Sequence, residues 1–180
     1  MADELLTESS APGTDFLADV CVQWEHAVDT GESLGLRILK FRTGVVLDAK
    51  GGALAKLAAP VKFGFGAALG SGKQWMPWIH EQDVIDMYLY GVENEDLTGV
   101  YNMVAPNPVT NKQLTIAVAK ELHRPLWLPK VPAFALKLAL GEMSSLVLDS
   151  TKVSAQKIEE AGFKFKYPTL MWALKDLYKK

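Results

Sequence analysis

The spacing of apolar side chains predicts alternating helices and strands along most of the chain. Between Asp15 and Gly31 they recur at helical spacing, which predicts a helix that ends at Gly31. The stretches Leu36–Phe41, Val45–Leu47 and Gly99–Ala105 are short, apolar and bounded by turn residues, which is typical of strands. The apolar stripe of the first helix comprises Phe16, Leu17, Val20, Cys21, Trp24, Ala27 and Val28.

Capping and turn residues predict where the next helices begin and end. A helix opens at Gly51-Gly52, runs through Leu57 and is expected to end at Pro60. Asp83 is expected to cap a helix over Val84–Val92. Its inward side chains are expected to be Ile85, Tyr88 and Leu89. The sequence Thr110-Asn111-Lys112-Gln113 is a capping box and predicts a helix over Asn111–Leu122.

The remainder of the chain is predicted to be mainly helical. Pro132 suits the start of a helix over Ala133–Leu140, and Ser150 or Thr151 can cap another that ends at Gly162. A last helix is expected from Pro168. Alternating strands and helices indicate an α/β protein with parallel strands. Because a parallel sheet needs several members, the few convincing strands predict only part of such a sheet.

Composition and charge exclude several classes of protein. At 49% hydrophobic and 22% charged, the 180 residues can build an ordinary soluble core. The net charge of −2 gives no argument for binding nucleic acid or membranes. Residues 1–36 hold eight acids and no base, whereas residues 152–180 hold seven lysines and three acids, which predicts solvated faces of opposite sign. No signal peptide or membrane span is predicted, so a cytoplasmic protein is expected.

Residues 64–77 form a glycine-rich loop that could contact a ligand. The loop is not a dinucleotide fingerprint, because an aromatic, extended piece follows Gly72 where that fingerprint has a helix. A ligand-binding loop and an ordinary connecting loop are both open readings. The single cysteine, Cys21, excludes an internal disulfide and is expected to be a buried apolar filler of its helix.

Two polar groups outside this loop could carry chemistry. His80 could act as an acid or base, but we favour a structural role in which it hydrogen-bonds to the backbone while Asp83 caps its helix. Arg42 follows a predicted parallel strand, where α/β folds bind ligands, and could equally pair with a neighbouring carboxylate. The three histidines lack metal-ligand spacing, so no metal site is predicted.

Several segments together resemble one family, the atypical extended short-chain dehydrogenase/reductases known as sugar-nucleotide epimerase-like proteins. The resemblance runs in order along nearly the whole chain and is carried by Asp15-Phe16-Leu17-Ala18 through Trp24-Glu25, Arg42-Thr43-Gly44-Val45-Val46-Leu47, Gly70-Ser71-Gly72-Lys73-Gln74, Trp78-Ile79-His80 and Gly162-Phe163-Lys164-Phe165. It implies a partial Rossmann-like, doubly wound parallel sheet with a mostly helical C-terminal lobe. Residues 1–124 would be the last part of the Rossmann-like domain, and residues 125–180 the family's small C-terminal domain of uncharacterised role.

The resemblance also implies where ligands would lie. The complete family uses NAD or NADP, and the nicotinamide end would approach Arg42, Thr43, Gly44 and Val45. A nucleotide-sugar-like ligand would lie against Lys73, Gln74, Trp78 and His80. The family's N-terminal nucleotide-binding half has no counterpart here, so tight coenzyme binding by this chain alone is not expected.

The resemblance assigns no catalytic residue. Related reductases carry a Tyr, a Lys and a Glu on one helix face, and the first two positions are Leu17 and Cys21 here. The leading hypothesis is therefore a portion of an epimerase-like reductase that is inactive as an isolated chain. The alternatives are a regulatory binding protein, whose apolar helix 15–31 could form a homodimer, and a truncated gene product with no function of its own.

Overall fold

A computed structural model of the protein describes residues 3–179, apart from the side chains at positions 139, 140, 142, 143 and 146. The strands are β1 (Leu5–Leu6), β2 (Leu39–Thr43), β3 (Val45–Leu47), β4 (Trp75–Met76), β5 (Trp78–His80), β6 (Gly99–Met103), β7 (Val109–Thr110) and β8 (Lys152–Val153). The α-helices are α1 (Phe16–Asp29), α2 (Gly52–Lys62), α3 (Glu81–Glu93), α4 (Asn111–Glu121), α5 (Ala133–Leu140), α6 (Ser145–Leu148), α7 (Gln156–Glu160) and α8 (Leu170–Leu177). Short 3₁₀ turns span Thr30–Leu34 and Gly141–Ser144.

The strands form short parallel pairs, which confirms the predicted α/β class. β2 pairs with β6, β3 with β5 and β1 with β8, all parallel, whereas β4 and β7 are antiparallel. β2 continues into β3 through Gly44, whose N–H donates to the carbonyl of Met103 at 3.1 Å. The next N–H, of Val45, donates to the carbonyl of Pro77 at 2.8 Å. The hydrogen-bond partner of the extended chain therefore changes from β6 to the start of β5 at this point.

The outer edge of β6 is covered by charged side chains. The ladder with β2 leaves the backbone groups of Val100 and Asn102 pointing away from β2. The Lys157 ammonium donates to the carbonyl of Val100 at 2.7 Å, and the N–H of Asn102 donates to the Glu8 carboxylate at 2.8 Å. Charged groups on a strand edge discourage pairing with another strand, so this edge is closed.

The outer edge of β2 is open within residues 3–179. Because Gly99 donates to Ile38 and Gly44 to Met103, the backbone groups of Leu39, Phe41 and Thr43 face away from β6. No described strand pairs with them. Apolar side chains of both flanking helices stand exposed. They are Phe16, Leu17, Trp24 and Val28 on α1 and Ile85, Tyr88, Leu89 and Val92 on α3.

Two buried clusters hold the elements together. One joins α2, α4 and α8 around Leu47 and Trp78, so the last helix shares a core with the middle of the chain. The other packs β6 and α3 around Ile79 and Met103. The division at residue 124 stays a prediction. No helix of the described residues is both long enough and apolar enough to span a bilayer.

The predicted cap and the predicted inward face of α3 are wrong. The helix begins at Glu81, and the ring nitrogen Nδ1 of His80 accepts the capping hydrogen bond from the N–H of Gln82 at 3.0 Å. The buried positions are Asp83, Met87 and Gly91, while Ile85, Tyr88 and Leu89 are about half exposed. Helical spacing located an apolar stripe, but that stripe lies beside the open edge of β2 rather than in a core.

Two further boundaries differ from the prediction. Pro60 lies inside α2, which continues to Lys62 although the proline has no N–H to donate to the carbonyl of Lys56, so the helix tolerates the loss of that one hydrogen bond. The helix predicted from Ser150 or Thr151 starts only at Gln156, because Lys152–Val153 pair with β1 instead. The capping box at Thr110 is confirmed with both of its reciprocal hydrogen bonds.

Candidate functional site

Arg42, the first residue of the predicted coenzyme segment, is held by α1. Its Nε and Nη2 donate to the two carboxylate oxygens of Glu25 at 2.7 and 2.8 Å, and its Nη1 donates to the carbonyl of Glu8 at 3.0 Å. Lys40, two residues earlier on the same face of β2, pairs with Asp29 at 2.6 Å. Of the two readings left open by the sequence, the structure therefore has Arg42 paired with a carboxylate.

This ion pair keeps both partners charged. The hydrogen bond from Arg42 lowers the pKa of the Glu25 carboxyl, against the opposing effect of burial. The same bond raises the pKa of the Arg42 guanidinium. A bidentate guanidinium–carboxylate pair is geometrically specific, so it fixes the carboxyl end of β2 relative to α1.

The α1 face beside this pair carries no proton donor of the reductase type. Leu17, Cys21 and Glu25 follow each other at intervals of four residues, and Leu17 is 52% exposed. Cys21 is exposed as well, so the prediction of a buried filler is wrong. The reason is that α1 buries none of its side chains within the described residues. A leucine cannot exchange a proton, so this face lacks the phenol–ammonium pair that would assist hydride transfer.

Gly44 marks a close crossing of backbone segments. A Cβ at this position would lie 2.8 Å from the carbonyl oxygen of Pro77 and 2.9 Å from Cγ1 of Val104. Only glycine allows such an approach without a shift of the neighbouring chain. The crossing places Gly44 and Val45 directly against Pro77 and Trp78, which brings part of the predicted coenzyme segment beside one predicted ligand residue.

The glycine loop is organised by two buried amides. Gln74 is 5% exposed, and its Nε2 donates to the carbonyls of Leu69 at 3.0 Å and Val147 at 2.9 Å. Asn111, fully buried, accepts the N–H of Leu69 at 2.8 Å. Lys73 is exposed at the end of the turn that these amides stabilise.

Trp78 is a core residue with a satisfied indole. It is 1% exposed, and its Nε1 donates to the carbonyl of Asn107 at 3.0 Å. One residue earlier, Pro77 accepts from Val45, so the backbone at the start of β5 is also engaged. Trp78 can therefore form the wall of a site but has no free polar group to offer a ligand.

His80 and Asp83 tie α3 to the C-terminal segment. His80 is 2% exposed and stacks on Tyr167 with ring centroids 3.9 Å apart. Its Nε2 lies 3.6 Å from the Asp176 carboxylate and makes no hydrogen bond. Asp83 is fully buried and accepts the backbone N–H groups of Lys166 at 2.8 Å and Tyr167 at 3.1 Å.

Burial governs the pKa of both groups. It lowers the pKa of His80, against the attraction of Asp83 and Asp176 for the protonated ring. Burial also raises the pKa of Asp83, while the two backbone hydrogen bonds oppose that rise. Because Nδ1 of His80 accepts a hydrogen bond, the neutral ring carries its proton on Nε2.

A shallow depression beside β6 offers few unused groups. It measures about 390 Å³ and is lined by Thr7, Glu8, Ser9, Val100 and Lys157. The charged groups in it already cap the edge of β6. Among the described residues, no group of three or more His, Cys, Asp or Glu side chains is arranged to hold a metal ion.

The structure thus gathers the predicted residues only in part. Val45 pairs with Trp78 and Gly44 lies against Pro77, whereas Lys73 lies two residues before β4 and His80 faces Tyr167. Sequence reasoning missed the bonds from Asp83 to residues more than eighty positions away. An acid followed by apolar residues suggests a helix cap, and nothing local distinguishes it from an acid that binds a distant backbone.

The C-terminal part of the chain matches a family model, and nearly the whole chain is similar to curated proteins. The domain of unknown function DUF1731 matches residues 131–177. An epimerase family protein of Staphylococcus aureus is 41% identical over 168 residues, which are 92% of this chain and 55% of that protein. One of Staphylococcus saprophyticus is 42% identical over 165 residues, 91% of this chain and 54% of that protein. The chain therefore spans about 55% of the length of these relatives.

Solved structures share the fold over almost the whole chain. The human epimerase family protein SDR39U1 (isoform 2), crystallised with NADPH, superimposes with a TM-score of 0.89 at 29% identity, covering 98% of this chain and 60% of that one. A nucleoside-diphosphate sugar epimerase of Corynebacterium glutamicum has a TM-score of 0.77 at 32% identity, covering 97% and 33%. The UDP-glucose 4-epimerase of Thermus thermophilus, at 17% identity and a TM-score of 0.64, indicates a shared fold alone.

Proposed function

Because the chain belongs to the epimerase family of extended short-chain dehydrogenase/reductase-like proteins, we propose that it forms the substrate-side portion of an NAD(P)-dependent epimerase or reductase. Its ligand would be a nucleotide sugar or a similar phosphorylated compound. Residues 125–180 would be the small, mostly helical C-terminal domain on the substrate side, held to the rest of the chain through the core that α8 shares with α2 and α4. Alone, the chain is expected to show little or no catalysis.

The open edge of β2 carries this proposal. A parallel two-stranded sheet is not stable by itself, and exposed apolar side chains of α1 and α3 stand on both sides of the edge. Tyr88 of α3 already packs edge-to-face on Phe41 of β2 at 5.2 Å. One further parallel strand at this edge would cover these groups and would place its own carboxyl end beside Thr43.

That arrangement would complete a coenzyme cleft in the usual place. In open α/β sheets, ligands bind at the carboxyl ends of the strands, where Thr43 and Gly44 lie. Arg42 is neutralised by Glu25, so its role would be to hold the cleft wall rather than to bind a phosphate. The part of the protein that supplies the further strand would also have to supply the helix N-terminus and the backbone N–H donors that bind the pyrophosphate of the coenzyme.

The human relative that was crystallised with NADPH supports the choice of coenzyme. The expected lack of catalysis by this chain alone rests on Leu17 and Cys21. Neither can serve as the phenol or the ammonium that related reductases use to move a proton. Binding and orientation of a ligand are therefore the functions that the chain's own residues would supply.

NADPH binding tests the proposal. The chain alone is titrated with NADPH by coenzyme fluorescence, beside a fusion in which the unmatched part of the Staphylococcus aureus relative precedes it. We expect no saturation below about 1 mM for the chain alone and a dissociation constant in the micromolar range for the fusion. Micromolar binding by the chain alone would refute the proposal.

A matched pair of threonine variants tests the location of the coenzyme in the fusion. Thr43→Val removes a hydroxyl at the expected cleft, and Thr98→Val removes one from an exposed turn before β6. The first is expected to weaken NADPH binding about fivefold, as loss of one hydrogen bond does, and the second to leave it unchanged. Equal effects would place the coenzyme elsewhere.

A second candidate is favoured by the exposure of α1. Phe16 and Trp24 are 78% and 69% exposed on one helix, which is typical of a surface that another molecule covers. A homodimer through residues 15–31, serving a regulatory rather than a catalytic role, would use this face. Sedimentation of the wild-type chain and of Trp24→Glu tests it. A dimer that the substitution dissociates supports this role, and a monomer at all concentrations excludes it.

A further inference from the structure

Two segments of the chain lie side by side beyond the end of α2. The N–H of Val131 donates to the carbonyl of Ala68 at 2.9 Å, which joins the segments just before α5. A Cβ on Gly66 would lie 2.7 Å from Cδ2 of Leu126, so the segments also touch closer to α2. Together with most of α5 they form one continuous surface. We call it the aromatic strip, which comprises residues 62–69 and 124–138.

The aromatic strip exposes five large apolar side chains. Phe134 is 74% and Leu138 is 88% exposed, and a separation of four residues puts them on one face of α5. Phe65 and Trp127 adjoin the touching residues of the two segments and are exposed as well. The five side chains are those of Phe63, Phe65, Trp127, Phe134 and Leu138. An apolar patch of this kind marks a place where a soluble protein meets a membrane or another molecule.

The aromatic strip lies over a different core from the open edge of β2. Leu126 packs on the cluster that joins α2, α4 and α8. Phe41 of β2 packs on the other cluster, with α3. A strand added to the edge of β2 would therefore cover side chains of α1 and α3 rather than this strip.

The charges within the aromatic strip are all positive. Its two segments contain four basic residues and no acid, and the four are Lys62, Arg124, Lys130 and Lys137. All four are exposed, and none forms an ion pair with another described side chain. The acids next to the strip along the chain are Glu121 and Glu142, so this charge is local.

We propose that the aromatic strip docks on a lipid bilayer that carries anionic headgroups. Trp and Phe side chains favour the depth of the headgroups, where an exposed leucine reaches the acyl chains, and basic side chains beside them attract the anionic lipids. The exposure of Leu138 favours a bilayer over nucleic acid, because bases stack on aromatic rings and gain little from an aliphatic side chain. The net charge of −2 gave no sign of this surface, since it averages over the whole chain. Docking goes beyond the proposed function and requires no coenzyme.

Sedimentation with lipid vesicles tests this docking surface. The full chain is mixed with vesicles of phosphatidylcholine alone and with vesicles in which about a third of the lipid is phosphatidylglycerol. We expect binding to the anionic vesicles to be at least about tenfold tighter, and to weaken about tenfold as salt rises to about 0.5 M. The fusion with the unmatched part of the Staphylococcus aureus relative is expected to bind as the chain alone does.

Matched variants locate the contact. Trp127→Ala is expected to weaken vesicle binding about tenfold, whereas Trp24→Ala, which removes an exposed indole from α1, should leave it unchanged. Lys137→Gln should weaken it about fivefold, and Lys164→Gln, which removes an exposed charge between two residues of the other cluster, less than twofold. All four side chains are exposed, and unfolding midpoints confirm that each variant folds.

Four results would each overturn the proposal. Equal binding to neutral and anionic vesicles, or no binding to either, would exclude an anionic bilayer. Equal losses for Trp127→Ala and Trp24→Ala would place the contact elsewhere. A fusion that no longer binds would show that the further part of the protein covers the strip. Tighter binding to a single-stranded oligonucleotide that is lost in Trp127→Ala would assign the strip to nucleic acid.

Discussion

The Arg42 guanidinium donates to both carboxylate oxygens of Glu25, at 2.7 and 2.8 Å. This pair joins the carboxyl end of β2 to an α1 helix that buries none of its side chains. The position of α1 therefore depends on a few polar contacts rather than on a core. The carboxylate stands where related reductases end their catalytic helix face, but here it has a structural partner.

Removing the charge of Glu25 should loosen α1. Glu25→Gln replaces the bidentate ion pair by a single hydrogen bond from the Arg42 guanidinium to a neutral amide oxygen, and we expect a loss of about 1 kcal/mol in the free energy of unfolding, since both groups are partly exposed. Urea denaturation measures it. Asp19→Asn on the same helix removes a first-turn carboxylate that accepts only from Gln23, and is expected to cost less than about 0.5 kcal/mol. Equal losses would contradict the role of the pair.

The buried carboxylate of Asp83 should be needed to attach the C-terminal segment. Asp83→Asn leaves a single oxygen to accept from the backbone N–H groups of Lys166 and Tyr167, and the new side-chain NH₂ group faces the second of these N–H groups. We expect the free energy of unfolding to fall by about 2 kcal/mol. Hydrogen exchange at those two amides should accelerate. The control is Asp86→Asn, one turn later, whose carboxylate accepts only from a side chain. Unchanged exchange at Lys166 would refute the prediction.

His80 should make the protein less stable in mild acid. Its pKa is lowered in the folded state by burial, so the unfolded chain binds a proton near the ordinary value of 6.5 while the folded chain resists it. Stability is therefore fully present above that pH and falls as the pH drops below it. Protonation of Nδ1 would also break the cap bond from Gln82.

The groups that act on the ring are Asp83, Asp86, Asp176 and Lys166 through their charges and Tyr167 through stacking. Asp83 has a raised pKa and acts in the opposite sense at more acidic pH, where its protonation favours the folded state. His80→Asn keeps an acceptor at the cap and removes the titration. Unfolding free energies between pH 7.5 and 5.5 should fall more steeply for the wild type than for this variant. If the unfolding free energy falls equally with pH in both proteins, His80 is not the group responsible.

Gly44 should not tolerate a side chain. Gly44→Ala forces the chain away from Pro77 and Val104, and overpacking of this kind costs about 1–3 kcal/mol. Gly51 serves for comparison, because a Cβ there meets Asp48 only at 3.5 Å, an ordinary contact, and the substitution affects only the N-cap preference of α2. Thermal unfolding should show a clearly larger loss for the first variant than for the second. A neutral Gly44→Ala would mean that the two segments are not in contact.

Structural features that depend on neighbouring residues were predicted from the sequence. The capping box at Thr110 fixed the start of α4, because both hydrogen bonds lie within four residues. Strands were predicted at Leu36–Phe41, Val45–Leu47 and Gly99–Ala105 because each segment is short and apolar between turn residues. The structure has them at Leu39–Thr43, Val45–Leu47 and Gly99–Met103, so the first lies two to three residues later than predicted and the last ends two residues earlier. The strand at Lys152–Val153 was missed because two residues carry no periodicity and the partner, β1, lies far away along the chain.

Long-range contacts decided the positions that the sequence did not reveal. Asp83 binds a backbone segment from the other end of the chain, and no nearby residue signals that use. The apolar stripe of α1 predicted a buried Cys21, but the surface that it would pack against is not formed by residues 3–179. The same holds for Tyr88 and Leu89 of α3. Amphipathic spacing identifies the apolar face of a helix but does not reveal which other segment packs on that face.

The central claim is that β2 is an inner strand whose second neighbour lies outside residues 3–179. Amide hydrogen exchange tests it most directly, because Phe41 faces the open edge while Arg42 faces β6. In the chain alone, the Phe41 amide should exchange at least about a hundredfold faster than that of Arg42, and in the fusion with the unmatched part of the Staphylococcus aureus relative the two should be similarly protected. Strong protection of Phe41 in the chain alone would show that the edge is already covered and would contradict the account.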